Sequence, residues 1–146
     1  MTFTPRDPNF EQRIRASFAR QAFMTTLGAR LVHVAPGEVR IALAHRDDLV
    51  QQHGFLHAGA VTSVVDSACG YAALSLMEPG AAVLAVEFKV NLLAPAAGSE
   101  FLAIGRVVRA GRTLTVCAGE LRAGDTLIAM LQGTMMAVRD RPGLED

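Results

Sequence analysis

The longest apolar segment of the chain runs from Ala58 to Met77, and Asp66 carries its one formal charge. A segment of this length could span a bilayer. A carboxylate in the middle of the span would be costly in lipid, and small or hydroxyl-bearing residues dilute the apolar character. These residues are Gly59, Thr62, Ser63, Ser67 and Gly70. The segment therefore predicts a helix that is buried on nearly every side inside a soluble protein.

The composition limits the class of protein in which this helix can occur. A chain of 146 residues, 51% hydrophobic and 19% charged, predicts one ordered domain over residues 1–146. Fourteen basic residues balance fourteen acidic ones, so no basic field suggests a nucleic-acid partner. The first residues lack the apolar centre of a signal peptide, which favours a cytoplasmic protein. Cys69 and Cys117 are expected to be reduced core residues.

The segments before the long helix suggest a shorter helix and a hairpin. Residues Asn9 to Leu27 carry apolar side chains near helical spacing, and Gly28 is a plausible stop. The side chains in question are Phe10, Ile14, Phe18 and Phe23. Two strand-like runs, Arg30 to Ala35 and Glu38 to Ala44, flank the turn dipeptide Pro36-Gly37. A polar loop follows over residues 45–56.

After the helix, which is expected over about His57 to Met77, the periodicity changes to that of strands. Val86, Phe88, Val90 and Leu92 alternate with polar residues, which predicts a half-buried strand. Three further strands are expected, joined by short turns, and short links favour antiparallel neighbours. They cover Glu100 to Arg109, Arg112 to Arg122 and Thr126 to Val138. A single all-round-apolar helix must be enclosed, and one curved antiparallel sheet can enclose it. The expected class is α+β, a hotdog fold with an additional N-terminal helix.

Two motifs resemble the phenylacetyl-CoA-type (PaaI-like) thioesterases of the hotdog superfamily. Gln-Gln-His-Gly-Phe-Leu-His-Ala-Gly at residues 51–59, followed by Val-Asp-Ser-Ala at residues 65–68, resembles their active-site signature. The run Glu-Phe-Lys-Val-Asn-Leu-Leu-Ala-Pro-Ala at residues 87–96 resembles their next strand. The resemblance covers roughly residues 25–138. It implies hydrolysis of an acyl-coenzyme A to a free acid and CoA, with no separate cofactor because CoA is part of the substrate.

The resemblance also implies roles for single residues. Asp66 would act as general base or nucleophile, and a backbone N–H at Ala58 or Gly59 would polarise the thioester carbonyl. Gln51 would position water or substrate. His57 would orient the helix entrance or the substrate, and a structural role as a polar residue at the helix start is the equal alternative. The chain departs from many relatives at three positions. It has Gln51 for asparagine, Ala58-Gly59 for Gly-Gly, and Ala85 where some relatives have a hydroxyl that assists from the strand.

The residues themselves support this chemistry. Thioester hydrolysis needs an activated water or a carboxylate nucleophile, and a stabiliser for the oxyanion. A helix N-terminus presents unpaired N–H groups and a positive dipole end. A carboxyl group in an apolar segment should have a raised pKa. The structural alternative is an aspartate satisfied by hydrogen bonds to Ser63, Ser67 or a neighbouring backbone group.

The spacing of these groups predicts a site between subunits. Gly59 and Asp66 are seven positions apart, which is roughly 10 Å along a helix axis. One carbonyl cannot lie within hydrogen-bond reach of both groups. The site is complete if Asp66 of one subunit meets the helix start of another, as in the dimers of the resembled family. We therefore expect a homo-oligomer, a dimer or a dimer of dimers, whose pairing also covers an exposed edge strand.

The substrate's two ends are less well defined by the sequence. In relatives a basic turn lies near the CoA phosphates, which makes Arg109, Gly111, Arg112 and Thr113 candidate CoA contacts. Ala85 is a further candidate substrate contact, because it takes the place of the assisting strand hydroxyl of some relatives. A solvated hairpin is the equally simple alternative for that turn. The acyl group is expected to be aryl or of medium chain length. Phe55, Leu56, Tyr71 and Met77 could line a tunnel for it or belong to the core.

The sequence offers two alternative functions and one possible metal site. Asp48 and His53 are reminiscent of the Asp/His pair of hotdog enoyl-CoA hydratases, but the residues around that pair are missing and Asp66 would be left unexplained. A non-catalytic acyl-CoA-binding module is the second alternative. His53 and His57 have i, i+4 spacing without a third ligand, so no metal site is expected.

Overall fold

The computed structural model describes residues 2–144 and contains four helical elements and six strands. The helices are α1 (Phe10–Arg20), α2 (Ala22–Leu27), a short 3-10 helix (Asp47–Leu49) and α3 (Ala58–Leu74). The strands are β1 (Arg30–Ala35), β2 (Glu38–Ala44), β3 (Ala82–Leu92), β4 (Glu100–Ala110), β5 (Leu114–Ala123) and β6 (Thr126–Val138). The element order agrees with the prediction except for the division of the N-terminal helix and the 3-10 helix in the predicted loop.

All six strands form one antiparallel sheet in the order β1-β2-β4-β5-β6-β3. Short turns join β1 to β2, β4 to β5 and β5 to β6, and these pairs are neighbours in the sheet. The long excursion through α3 separates β2 from β3, which lies at the far edge beside β6. The curved sheet wraps the central helix, so the predicted hotdog fold is confirmed.

Two paired glycines let α3 lie directly against the sheet. Gly105 of β4 is opposite Gly119 of β5. A Cβ atom at Gly105 would clash with the backbone of Ala68 and Cys69, and one at Gly119 would clash with the side chains of Val65 and Cys69. Only glycine permits this approach of strand and helix backbones. The contact fixes the middle of α3, next to Asp66, on the sheet.

Arg13 of α1 caps the C-terminal end of α3 from a distance in sequence. Its guanidinium donates to the carbonyl oxygens of Leu74, Met77 and Glu78 over 3.0, 3.0 and 2.7 Å. It also forms an ion pair with Asp7 at 3.2 Å, and both side chains are at most 10% exposed. A cation at this end of a helix satisfies carbonyls that lack an intrahelical partner and complements the helix dipole.

The N-terminal helix differs from the prediction because it breaks at Gln21. That residue has an extended backbone (φ −78°, ψ 92°), which ends α1 and begins α2. The break shifts the buried face, so Met24 and Leu27 are buried while Phe23 is 54% exposed. Gly28 ends α2 in the left-handed conformation at φ 70°, as predicted.

Three further boundaries were wrong. α3 begins at Ala58 and ends at Leu74, before the predicted Met77, because the chain turns there and the Arg13 cap replaces further helix. β3 begins at Ala82 rather than Val86, since its first residues pair with the end of β6. β5 begins at Leu114, because Arg112 and Thr113 belong to the tight turn that follows β4.

The apolar side chains of β3 are more exposed than predicted, since the sequence indicated a half-buried strand. Val86, Phe88 and Leu92 are 54%, 43% and 53% exposed, although Val90 is half-buried. β3 is an edge strand with β6 as its one neighbour, and a bulge interrupts its register between Ala85 and Glu87. The alternation of apolar and polar residues identified the apolar face of the strand, but it does not indicate which part of the protein, if any, packs against that face. Within residues 2–144, much of this apolar edge faces solvent.

Two simpler expectations concern the cysteines and the membrane. Cys69 and Cys117 are free and buried, as predicted. Burial raises the pKa of both thiols, that of Cys117 to about 12, so neither is a reactive thiolate. Among the described residues no helix is long and apolar enough to cross a membrane. The cytoplasmic location stays a prediction.

Candidate active site

Asp66 lies in the middle of α3, one turn from the Gly105 contact, and faces a cavity of about 430 Å³. Its Oδ1 atom is buried and has no hydrogen-bond partner among residues 2–144. Burial raises the pKa of this carboxyl group, since desolvation disfavours the charged form. A buried acceptor without a partner is costly in a folded protein and marks candidate functional sites.

The neighbouring hydroxyl groups do not satisfy this carboxylate. The Ser63 hydroxyl donates to the Gly59 carbonyl oxygen over 2.7 Å. The Ser67 hydroxyl accepts from Gln21 Nε2 at 3.5 Å. Among residues 2–144, neither Ser63, Ser67 nor a neighbouring backbone N–H donates a hydrogen bond to the Asp66 Oδ1 atom.

The start of α3 forms a second feature of the site. His57 is the N-cap residue, and its Nδ1 atom accepts the Gly59 N–H over 2.8 Å. The remaining amides of the first turn are those of Ala58 and Ala60. The helix start thus offers the Ala58 and Ala60 N–H groups, which have no acceptor in the described part of the chain, and the Gly59 N–H held by an imidazole, beside the positive end of the helix dipole.

Gln51 and Ala58 line a second cavity of about 490 Å³, together with Phe55 and Leu56. The Gln51 carboxamide oxygen accepts the N–H of His53, so this side chain shapes its own loop. Gly54, at φ 83°, completes the turn. The loop motif therefore positions the helix start and places an amide side chain beside it.

The structure separates these groups within one subunit. Asp66 and Ala85 line the first cavity, whereas Gln51 and Ala58 line the second. Gly59 and Asp66 are two turns apart on α3, as expected from their spacing. One subunit therefore holds both halves of the expected chemistry but does not bring them to one point.

Most residues of the Asp66 cavity were missed by the sequence analysis, and two of them are Gln21 and Gly70. Gln21 reaches the cavity from the break between α1 and α2, and its Oε1 atom is buried without a partner in the described residues. No sequence signal predicts this, because the contact joins Gln21 to a helix 46 positions away. Gly70 also lines the cavity. A glycine inside a helix destabilises it by about 1 kcal/mol relative to alanine, which could have drawn attention to it.

The candidate CoA contacts lie elsewhere. Arg109 lies near the end of β4, and Gly111, Arg112 and Thr113 lie in the turn that follows it. All four residues are exposed, and none of them lines either cavity. A Cβ atom at Gly111 would clash with the Leu114 carbonyl oxygen, so the turn itself requires glycine. Arg139 donates to the Arg112 carbonyl oxygen and ties the turn to the end of β6. Of the candidate tunnel residues, Tyr71 lines the Asp66 cavity and Met77 lines neither cavity.

The residues of the alternative functions are not assembled into a site. Asp48 is exposed and forms an ion pair with Arg46 at 2.6 Å, and His53 is exposed on the following loop. Neither residue lines either of the two cavities. Residues 2–144 contain no group of three His, Cys, Asp or Glu side chains that could hold a metal ion.

Comparisons with known proteins identify the family. Residues 53–129 match the profile of the thioesterase superfamily. A thioesterase family protein from Silicibacter pomeroyi is similar in structure, with a TM-score of 0.87 and 52% identity over 89% of this chain and 98% of that one. Two others share the fold at lower identity. The PaaI protein of E. coli, from the phenylacetic acid degradation operon, has a TM-score of 0.82 at 20% identity over 89% and 94% of the two chains. A thioesterase from Haemophilus influenzae has a TM-score of 0.79 at 18% identity over 95% and 93%.

The profile covers more than half of the chain, and its matched segment includes the helix start and Asp66. The similar protein from Silicibacter pomeroyi extends the likeness over nearly the whole fold. The chain belongs to the thioesterase superfamily and is a thioester hydrolase.

Proposed function

We propose that the protein hydrolyses an aryl- or medium-chain acyl-CoA to the free acid and CoA, with Asp66 as general base or nucleophile. The observation that carries this proposal is the buried, unpaired Oδ1 of Asp66 beside a cavity in a thioesterase fold. A carboxylate that is desolvated and free of competing donors is a better proton acceptor than one in water.

The reaction follows from this basicity. As general base, Asp66 takes a proton from water while the water oxygen bonds to the thioester carbon. The tetrahedral intermediate then collapses, the carbon–sulfur bond breaks, and the CoA thiolate leaves and takes up a proton. As nucleophile, Asp66 would bond to the carbonyl carbon itself and form an anhydride that water hydrolyses. Both routes place negative charge on the carbonyl oxygen.

The start of α3 supplies the stabiliser of that charge. The Ala58 N–H is free to donate, and the Gly59 N–H is held by His57 Nδ1 at 2.8 Å. In this arrangement His57 fixes the first turn, so that the Ala58 amide and the helix dipole point towards the position of the oxyanion. Gln51, beside Ala58 in the second cavity, would position the carbonyl or the water.

A second subunit unites the two halves. In one protomer Asp66 and Ala58 line different cavities, so we propose that Asp66 of each subunit meets the α3 start of its partner. The apolar edge of β3, with Val86, Phe88 and Leu92 exposed, supports pairing along this strand. A twofold dimer formed in this way contains two equivalent sites, and a dimer of dimers contains four.

The basic turn after β4 is the proposed position of the CoA phosphates. Arg109 and Arg112 are exposed at its two ends, where guanidinium groups can form charge-assisted contacts with phosphate. Gly111 and Thr113 shape this turn. Ala85 lines the Asp66 cavity and, without a hydroxyl, would contribute only its surface to the substrate.

The test is a thiol-release assay over a panel of acyl-CoAs with the wild type and the Asp66→Asn variant. The wild type should release thiol from at least one aryl- or medium-chain substrate, and the variant should lose nearly all of this activity with its fold intact. Full activity in Asp66→Asn would refute the mechanism. Tight acyl-CoA binding by the wild type without thiol release would favour a non-catalytic acyl-CoA-binding module instead.

A further inference from the structure

Gly70 is a helix residue that no contact among residues 2–144 explains. It lies in the interior of α3 with a helical backbone, where alanine would be more stable. A Cβ atom built at this position meets no atom within 4 Å. By contrast, Cβ atoms at Gly105 and Gly119 would clash with α3. The absence of a side chain at residue 70 therefore leaves space that the described part of the chain does not fill.

This space belongs to the cavity of Asp66. Gly70 follows Asp66 by four positions, so the two residues share a helix face and lie about 6 Å apart along the axis. Both line the same cavity of about 430 Å³. A substrate in this cavity with its carbonyl at Asp66 would place its acyl group over Gly70, because Thr62, one turn away on the other side of Asp66, lines neither cavity.

A second observation is that two walls of the cavity carry acceptor atoms that the described residues leave unpaired. The Gln21 Oε1 and Asp66 Oδ1 atoms, on two of its walls, are both buried acceptors without partners among residues 2–144. Buried acceptors in proteins are normally paired. Unused space and unpaired acceptors in one cavity point to a ligand that fills the first and approaches the second.

We propose that Gly70 determines the acyl specificity, because its bare backbone makes room for bulk about 6 Å from the thioester carbonyl. This inference rests on the proposed function. It predicts a preference for acyl groups that are wide at this distance, such as an aryl ring one methylene from the carbonyl, over short unbranched groups. The cavity wall at Gly70 fixes the width that is accepted.

The test compares Gly70→Ala and Gly70→Val with the wild type on phenylacetyl-CoA and acetyl-CoA. One misplaced methyl group in a tight pocket changes kcat/KM by about 10–200-fold. The kcat/KM ratio of phenylacetyl-CoA to acetyl-CoA should therefore fall about tenfold in Gly70→Ala and further in Gly70→Val. The melting temperature of Gly70→Ala should be equal to that of the wild type or higher, since alanine favours the helix.

Thr62→Ala is the matched control. It also raises the helix propensity of α3, but Thr62 lines neither cavity. Its substrate ratio should be that of the wild type. An unchanged ratio in both Gly70 variants would overturn the inference. Equal loss on both substrates together with a changed molar mass in light scattering would also overturn it, since the space would then belong to the partner subunit.

Failure of the proposed function would be seen separately, as absence of thiol release by the wild type. Binding of S-phenethyl-CoA, a thioether that cannot be hydrolysed, then tests Gly70 by calorimetry. Gly70→Val should weaken this binding at least tenfold while leaving the binding of CoA unchanged. Equal affinity of wild type and Gly70→Val for the thioether would refute the role of Gly70.

Discussion

Replacement of Arg13 by methionine should destabilise the protein strongly, because Arg13 caps the C-terminal end of α3. The variant removes three hydrogen bonds to the carbonyl oxygens of Leu74, Met77 and Glu78. Hydrogen bonds to a charged group each contribute about 1.5–3 kcal/mol, but they share one guanidinium and are not additive. The variant also leaves Asp7, whose side chain is 6% exposed, without its ion-pair partner.

The loss of one partner from a buried pair costs about 3–5 kcal/mol, and we expect a decrease of this size in the free energy of unfolding. Small domains are stable by about 5–15 kcal/mol, so the variant should still fold. Urea denaturation followed by circular dichroism measures the change. At a slope of about 2 kcal/mol per M, the midpoint should fall by about 2 M.

Two controls separate the cap from a general effect of losing an arginine. Arg15 also lies on α1, but it forms an exposed i, i+4 pair with Glu11, so Arg15→Met should cost less than about 0.5 kcal/mol. The double variant Asp7→Asn/Arg13→Met removes the unpaired charge and should recover part of the loss. A cost for Arg13→Met no larger than that of Arg15→Met would refute the capping role.

Four further predictions concern the site and the β3 edge. Because burial raises the pKa of Asp66, kcat/KM should fall as the pH decreases through this raised value, and a profile that stays flat down to the ordinary aspartate pKa of 3.8 would contradict it. Between these two pKa values the native state binds more protons than the unfolded state, so the Asp66 carboxyl group destabilises the fold as the pH rises. Asp66→Asn should therefore raise the free energy of unfolding at pH 7, and this increase should become smaller in acid. Ala58→Pro removes the Ala58 N–H at the first position of α3, where proline is tolerated, and the extended backbone of His57 (φ −62°, ψ 139°) is suited to precede a proline. The kcat of this variant should fall about 10²–10³-fold with little change in melting temperature. A normal kcat would exclude this amide from the oxyanion site. Phe88→Glu places a charge on the β3 edge and should lower both the molar mass in light scattering and the activity, whereas an unchanged mass would argue against pairing along β3.

The fold could be predicted from the sequence because its main features are local patterns. The apolar run around Asp66 predicts α3, and alternation with turn dipeptides predicts most strands. The end of α3 was placed three residues too late, since Ser75 to Met77 are as buried as the helix but lie in turns. Buried residues are apolar in the sequence whether their backbone is helical or not, so apolar character alone does not show where a helix ends. The Arg13 cap that accompanies this end joins residues more than 60 positions apart.

The candidate site was predicted less completely than the fold. Asp66 and the helix start were identified by their motif, and the structure places each beside a cavity. Gln21 was not identified, because its position depends on the break between α1 and α2, and the Phe10 to Phe23 spacing suggested an uninterrupted helix. The exposure of Phe88 was missed for a related reason: periodicity indicates which side chains share a face, but not whether another chain covers them.

Mixed dimers of Asp66→Asn and Ala58→Pro subunits test the central claim most directly, namely that each site combines one subunit's carboxylate with its partner's helix start. Each variant alone should be nearly inactive. Co-expression with two different affinity tags allows the mixed dimer to be isolated. In it, Asp66 of the Ala58→Pro subunit meets the intact α3 start of the other, so one site of the two is complete and thiol release should recover to about half of the wild-type rate. Mixed dimers that remain as inactive as the two parents would contradict the claim, because the two groups would then have to act within one chain.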